Sequence, residues 1–391
     1  MLRVLHTADV HLGARHADLG EQAAAQRERQ FAAFRATIGV ALAEPVDLVL
    51  IAGDLFDSNV QPRRSVERVA TELRRLVEAR IRTVLIPGTH DVYDRASIYR
   101  SYDLPALAGA VGSDLLTVLT PERASVALEP LDLVVHGQVF ATKRAPHSPL
   151  RDLDVATTPG AASPGATWQI GLVHGSIAIP GQTTGDEVVI TTDEIAATHL
   201  DYLALGHWHS TSRGRAGTTV YAYSGAPEPV ALDQDRAGKA LLVTLDERNG
   251  LKTVEITERQ VGQTRFERLE LDAPTVPSQP ALIQLLGGRA DPDLVLDVRL
   301  IGVRPDALDL HTDEVETALA GQFLKIRVRD RSVPALSEGA IPPPDTILGA
   351  FIRDVEARVA ELEAAGDDAA GEVRDALRLG RLLLAGEEVT L

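Results

Sequence analysis

Ten of the eleven histidines lie in the first 209 residues, and several sit in short motifs with aspartate and glycine. In chain order these are Asp9-Val10-His11, Gly53-Asp54-Leu55-Phe56-Asp57, Gly88-Thr89-His90-Asp91, Gly171-Leu172-Val173-His174-Gly175 and Gly206-His207-Trp208-His209. Imidazole and carboxylate are ligands of manganese, iron, zinc or nickel, and a chain without cysteine offers no thiolate to select softer ions. Glycine beside a ligand lets the backbone turn sharply and come close to an ion. Two ions about 3.5–4 Å apart can clamp a phosphodiester, activating water on one side and neutralising developing charge on the other. A lone Asp-x-His or Gly-Asp is a weak signal, and His6 and His136, on or at the ends of strands, read as satisfied core histidines. Five elements in chain order read as a metal site.

Such a site needs a scaffold that gathers distant segments. The first 225 residues alternate short apolar runs with helical patterns, which is the mark of a layered α/β domain. Candidate strands are Leu2–His6, Leu48–Ala52, Val84–Ile86, Leu131–Val135, Gln169–Val173, Tyr202–Leu205 and Val220–Tyr223. They are apolar on both faces, as strands covered on both sides are. Phe31, Phe34, Ile38 and Leu42 recur at helical spacing, as do Val66, Val69, Leu73, Leu76 and Val77. Several motifs follow strands directly, and in α/β sheets the loops beyond the carboxyl ends converge.

The stretch from Thr157 to Ala166, rich in Pro, Ser, Gly and Ala, reads as a loop, and Ala273 to Pro280 as a domain boundary. Beyond it come helix Ala281–Leu286, strand Leu294–Ile301, helix Asp313–Ala320 and strand Phe323–Val328, a small αβαβ domain. Asp313 and Glu316 are expected to cap its second helix. After Ile341-Pro342-Pro343-Pro344, a tail carries Ile352, Val355, Val359 and Leu362 on one helical stripe, then a Leu-rich segment from Leu377 to Leu384. The expected partition is residues 1–272, 281–340 and 346–391.

The motifs resemble those of the calcineurin-like metallophosphoesterases, whose order is D-x-H, G-D-x-x-D, G-N-H-D, a lone His and G-H-x-H. The segments Leu5-His6-Thr7-Ala8-Asp9-Val10-His11-Leu12-Gly13 and Ile51-Ala52-Gly53-Asp54-Leu55-Phe56-Asp57 are close to the SbcD-type exonuclease branch. The motif resemblance covers roughly residues 1 to 225; for the αβαβ domain and the tail only element order supports it. It implies a layered β-sandwich core flanked by helices, a small capping domain, and a helical tail. It further implies that Asp9, His11, Asp54 and His209 hold one ion, and that Asp54 bridges to a second bound by His174 and His207. His90 would act at the leaving oxygen, with Asp91 orienting it. Manganese is the expected ion; magnesium, iron or zinc are the alternatives. Thr89 departs from the family, which has asparagine there. A threonine hydroxyl is shorter and a poorer donor than an amide oxygen, so the second position should fill only at higher metal concentration. Thr89→Asn should tighten metal binding in titration calorimetry.

The 391 residues carry 39 Lys+Arg against 56 Asp+Glu, a net charge of −17, whereas nucleic-acid-binding proteins usually carry a basic footprint. A local patch can suffice. Lys325, Arg327 and Arg329 share one strand face, and Arg63-Arg64 follow the second motif; these are the candidate DNA contacts, although a solvated strand face would read the same. The tail is acidic and amphipathic, which suits a groove on another protein, and the resemblance implies docking to an SbcC-type coiled-coil ATPase. A helix packed on its own domain is the alternative. A homodimer is left open. No run is long and apolar enough to span a membrane, the N-terminus lacks a secretory pattern, and cysteine is absent, so a cytoplasmic protein is expected. The leading expectation is a DNA exo- or endonuclease. The alternatives are a phosphoesterase acting on a small diester such as a cyclic nucleotide, and a catalytically weakened DNA-end scaffold.

Overall fold

The computed structural model describes the whole chain except residues 152, 154, 156–165, 182, 184, 186–187, 230–233, 235, 306–307, 335–341, 344, 366–368 and 385–391. The Pro/Ser/Gly/Ala-rich loop thus lies, apart from Ala166, outside the described residues. The chain divides into two compact units, Met1–Arg265 and Phe266–Leu391.

In the first unit the strands are β1 (Leu2–Thr7), β2 (Leu48–Ala52), β3 (Arg82–Ile86), β4 (Leu116–Val118), β5 (Ser125–Leu128), β6 (Leu133–His136), β7 (Trp168–His174), β8 (Ser176–Ile177), β9 (Val189–Ile190), β10 (Tyr202–Gly206), β11 (Ser212–Ala216), β12 (Thr219–Tyr223), β13 (Lys239–Arg248) and β14 (Leu251–Gln260). One six-stranded sheet has the order β14-β13-β1-β2-β3-β4 and the other β11-β12-β10-β7-β6-β5. The strands between β1 and β4, and those from β6 through β7 and β10 to β12, pair in parallel. Val4, Leu48, Leu50 and Val84 from the first sheet pack with Ile170, Leu172, Tyr202 and Ala204 from the second. The outer face of the first sheet is covered by α1 (Ala23–Ala43) and α2 (Arg63–Glu78) through Phe34, Ile38, Val69 and Leu73. Three short helices complete the unit: α3 (Ile98–Ser101), α4 (Leu104–Leu107) and α5 (Thr192–Ala197). This is the layered α/β arrangement expected from the sequence. Burial on both faces explains why β2 is apolar at every position.

Two differences have local causes. The strand expected at Leu131–Val135 begins at Leu133, because Glu129–Leu131 form a 3₁₀ turn and Asp132 adopts a left-handed conformation (φ 51°). The β13–β14 hairpin was not expected, although its turn signal was present. Asn249 and Gly250 take φ 54° and 76°, the two positive angles of a tight hairpin turn.

The second unit starts earlier than the Ala273–Pro280 break. Strand β15 (Arg265–Asp272) pairs into its three-stranded sheet, order β15-β16-β18, with β16 (Asp291–Ile301) and β18 (Phe323–Asp330). A small pair, β17 (Val303–Arg304) and β19 (Val333–Pro334), lies beside them in the chain. Helices α6 (Gln279–Gly287) and α7 (Thr312–Ala318) supply Leu282, Leu286 and Val315, and the residue after α7 supplies Leu319, to a core with Leu296, Val298, Ile326 and Val328. Asp313 and Glu316 do not cap α7. The helix starts at Thr312 with His311 at the cap and no side-chain bond there, and Glu316 instead accepts from the Val328 N–H at 2.6 Å. In the tail, α8 (Ile347–Ala365) packs against α9 (Ala369–Leu384). Ile352, Leu362 and Leu377 are buried, while Ile347, Leu383 and Leu384 remain exposed. No helix of the described residues is long and apolar enough to cross a membrane.

Candidate metal centre

All five motifs fall at or just beyond the carboxyl ends of β1, β2, β3, β7 and β10, with His174 the last residue of β7. Parallel pairing sets their levels: Ala52 is opposite Ile86, and Gly206 opposite His174. Distant residues therefore meet at one end of the two facing sheets. The backbone there is strained. Asp9, His11, Asp54 and His207 take φ of 54°, 48°, 51° and 100°, a region that costs a non-glycine residue roughly 1–3 kcal/mol and persists where surrounding structure enforces it. Gly53 (φ 89°) is required for a second reason: a Cβ there would stand 2.4 Å from His174 Nδ1.

Two compact donor groups result. Ligand atoms of Asp9, His11 and His209 lie within 4.8 Å of one another, and so do those of Asp9, Asp54 and His174. His11 Nε2 and His209 Nε2 face each other at 3.0 Å, so at most one can carry a proton. His174 Nδ1 donates to the Ala52 carbonyl at 2.8 Å, a bond that fixes the ring and directs Nε2 into the centre. That Nε2 and His11 Nδ1 are both buried, each facing a carboxylate: His11 Nδ1 lies 3.3 Å from Asp57 Oδ1. His174 Nε2 stands 3.1 Å from Asp54 Oδ2. The His207 N–H donates to both Asp9 oxygens at 2.9 and 3.1 Å. Its ring is half-buried and edge-on to His174 at 5.2 Å, outside the two compact groups.

Burial raises the Asp9 carboxyl to about 6, against the pull of the neighbouring histidines. Burial opposes a charged His174, yet the Asp54 and Asp9 carboxylates prevail and lift its imidazole to about 9. Burial also opposes an ionised Asp54, but His174 and His11 hold it below the ordinary carboxylate range. His209 is pushed down to about 3, first by burial and then by His11. Buried carboxylates here hold protons on histidine as counterions. Divalent cations fit the same place and the same nitrogen and oxygen donors.

The remaining site residues divide. His90 is half-exposed, its N–H donates to Asp54 Oδ1 at 2.7 Å, and its Nδ1 lies 3.0 Å from the Asp57 carbonyl. Asp91 does not reach the His90 ring. Its carboxylate accepts from the Gly88 N–H at 2.7 Å, the Phe56 N–H at 3.1 Å and the Tyr99 hydroxyl at 2.6 Å. It ties the second and third motif loops together. Thr89 is buried in its loop. Arg63 and Arg64 are exposed at the start of α2, with Arg63 paired to Glu67 at 2.8 Å. In the second unit Lys325, Arg327 and Arg329 are half-buried on one face of β18, where Arg329 reaches Asp297 at 3.5 Å.

Three residues escaped the sequence reading. Asp57 lies 3.3 Å from His11 Nδ1 and forms a third compact group with His11 and His90; it closes a motif already visible, and only its contact was hidden. Gln234 meets His209 Nδ1, and Tyr99 meets Asp91. Neither lies in a motif, so no sequence signal marked them.

Comparison with known proteins agrees with this geometry. The chain is 29% identical over 251 residues to the DNA double-strand break repair protein Mre11 of Aeropyrum pernix, covering 63% of this chain and 58% of that protein. It is 30% identical over 266 residues to the SbcD subunit of the SbcCD nuclease of Rhodobacter capsulatus, covering 60% and 64%. It is 26% identical over 232 residues to the uncharacterized metallophosphoesterase YhaO of Bacillus subtilis, covering 57% and 52%. The chain thus spans between half and two thirds of the length of these curated relatives. The profile of calcineurin-like phosphoesterases matches residues 2–211, the span that carries all five motifs. With its ligand loops gathered at one end of the paired sheets, the chain belongs to the calcineurin-like phosphoesterase family.

Proposed function

We propose that the chain is a two-metal phosphodiester hydrolase acting on DNA, the nuclease subunit of a double-strand-break repair complex. The observation that carries this is the pair of donor groups that share Asp9, one of which contains Asp54, with His90 bonded to Asp54 through its N–H. Asp9, His11, Asp54 and His209 would hold one ion; Asp54, His174, His207 and Thr89 would face the second. Manganese suits these nitrogen and oxygen donors. The ions would supply Lewis acidity, activating water and neutralising phosphate charge. His90, held through Nδ1 by the Asp57 carbonyl, keeps Nε2 to exchange a proton with the leaving oxygen. Asp57 and Asp91 are positioning residues, one for the His90 ring and one for the loops.

The names of the relatives support DNA as substrate. The first unit would form the nuclease region, 281–340 a DNA-binding cap through Lys325, Arg327 and Arg329, and 346–391 a dock for an SbcC-type ATPase. Arg63 and Arg64 would add contacts beside the site. Because α9 covers much of the apolar stripe on α8, docking would use Ile347, Leu383 and Leu384.

The test is incubation with manganese and linear duplex DNA, single-stranded DNA or a small chromogenic diester, beside His90→Ala. DNA cleavage that falls about 10²–10⁴-fold in His90→Ala is expected. Cleavage of the small diester alone points to a small-molecule phosphoesterase. No His90-dependent cleavage of any substrate points to a scaffold.

A further inference from the structure

The donors that would face a second ion are few. Asp54 and His174 are buried and His207 is half-buried, whereas ions of this class commonly take five or six ligands and accept neutral oxygens readily. The Thr89 hydroxyl sits on a short side chain. A crevice opens beside it, lined by Gly88, Thr89, Gln138, Thr142, Lys143 and His174 together with apolar side chains. Among these, the Gln138 carboxamide is the neutral carbonyl-type oxygen. Thr142 offers another hydroxyl, and the Lys143 ammonium offers no lone pair.

The fold brings Gln138 there. Strands β6 and β7 run in parallel with His136 opposite Gly171, so Gln138, two residues past His136, comes level with the segment that ends in His174. The chain stays close to β7 at this point: a Cβ on Gly137 would stand 2.7 Å from the Leu172 carbonyl. Gln138 itself is half-buried. His174, whose Nε2 stands 3.1 Å from Asp54 Oδ2, lines the same crevice.

We propose that Gln138 completes the second metal position, its carboxamide oxygen acting as the neutral ligand that Thr89 is too short to provide. This rests on the two-metal reading above. It makes the loop after β6 a part of the metal centre, although that loop carries none of the five motifs.

Manganese titration calorimetry on the full chain tests it. The wild type should take up two ions. Gln138→Ala should weaken the weaker of the two events by about 10–100-fold, the range seen when a partner of a metal site is removed. Adding Thr89→Asn to that variant should restore it. Gln138→Glu, which keeps the size and adds charge, should tighten the same event, and it serves as the test if Gln138→Ala does not fold. Identical manganese binding by wild type, Gln138→Ala and Gln138→Glu overturns the assignment while leaving the two-metal reading intact. A wild type that takes up no manganese, with Asp54→Ala indistinguishable from it, overturns both.

Discussion

Two charged regions, one in each unit, are built on opposite principles. In the candidate metal centre Asp9, His11 and Asp54 are at most 1% exposed, four backbone angles are strained, and buried ring nitrogens face carboxylates. On the polar face of the second unit's sheet, Asp297 meets Arg268, Arg299 and Arg329 at 3.4–3.5 Å; these side chains stay partly exposed, although Asp297 Oδ1 and Arg299 Nε are themselves buried. Among the described residues, every non-glycine with positive φ lies in the first unit. Burying charge is expensive, and strain is kept where surrounding structure holds it for a purpose. A half-exposed ion-pair ladder costs little and contributes little. The contrast shows why the first cluster reads as a site for cations and the second as, at most, a surface for anions.

The largest effect should come from the centre. On the two-metal proposal Asp54 would bridge the two ions, so Asp54→Ala should lower manganese affinity by more than about 100-fold, beyond what losing an outer partner costs. Titration calorimetry measures this; retention of tight binding would erase the distinction between the two regions.

The next effect is on stability. His174 is raised from 6.5 to about 9 in the fold, so its contribution is complete below pH 6.5 and disappears as pH rises through 9. Asp9, raised from 3.8 to about 6, contributes below 3.8 and loses that contribution as pH rises through 6. Both act in the same direction. With a chelator present, the melting temperature should fall between pH 6 and pH 9, and manganese should flatten that slope by replacing protons. A chelated protein with no pH dependence in this window would contradict the charge arrangement.

The smallest effects belong to the second unit. Replacing Lys325, Arg327 and Arg329 with alanine should reduce the slope of log affinity for DNA against log salt by about 0.9 for each phosphate that is no longer neutralised. Asp297→Asn should change folding stability by less than about 1 kcal/mol in a denaturant titration. A larger loss there would mean that the ladder is structural after all.

Much of the candidate centre was legible because its donor residues sit in short motifs at strand ends, where glycine and two-sided burial leave a plain pattern. The β13–β14 hairpin was missed although Asn249-Gly250 announced it, because β14 is largely exposed and carries few apolar residues to make a strand visible. Strand β15 was missed for the same reason, and the boundary between the units moved with it. The tail stripe was seen as a helix, but not that α9 covers it.

The sequence by itself determined which groups could bind a metal, and in what order the chain delivers them, since residue type and local spacing are written in it. Only the tertiary structure decided which atoms meet. Strand register brings His174 to Asp54 and Gln138 to the crevice beside Thr89, and it spends Asp91 on Gly88, Phe56 and Tyr99. Contacts between segments more than a hundred residues apart follow from sheet order and from the burial that fixes it, and no local pattern encodes them.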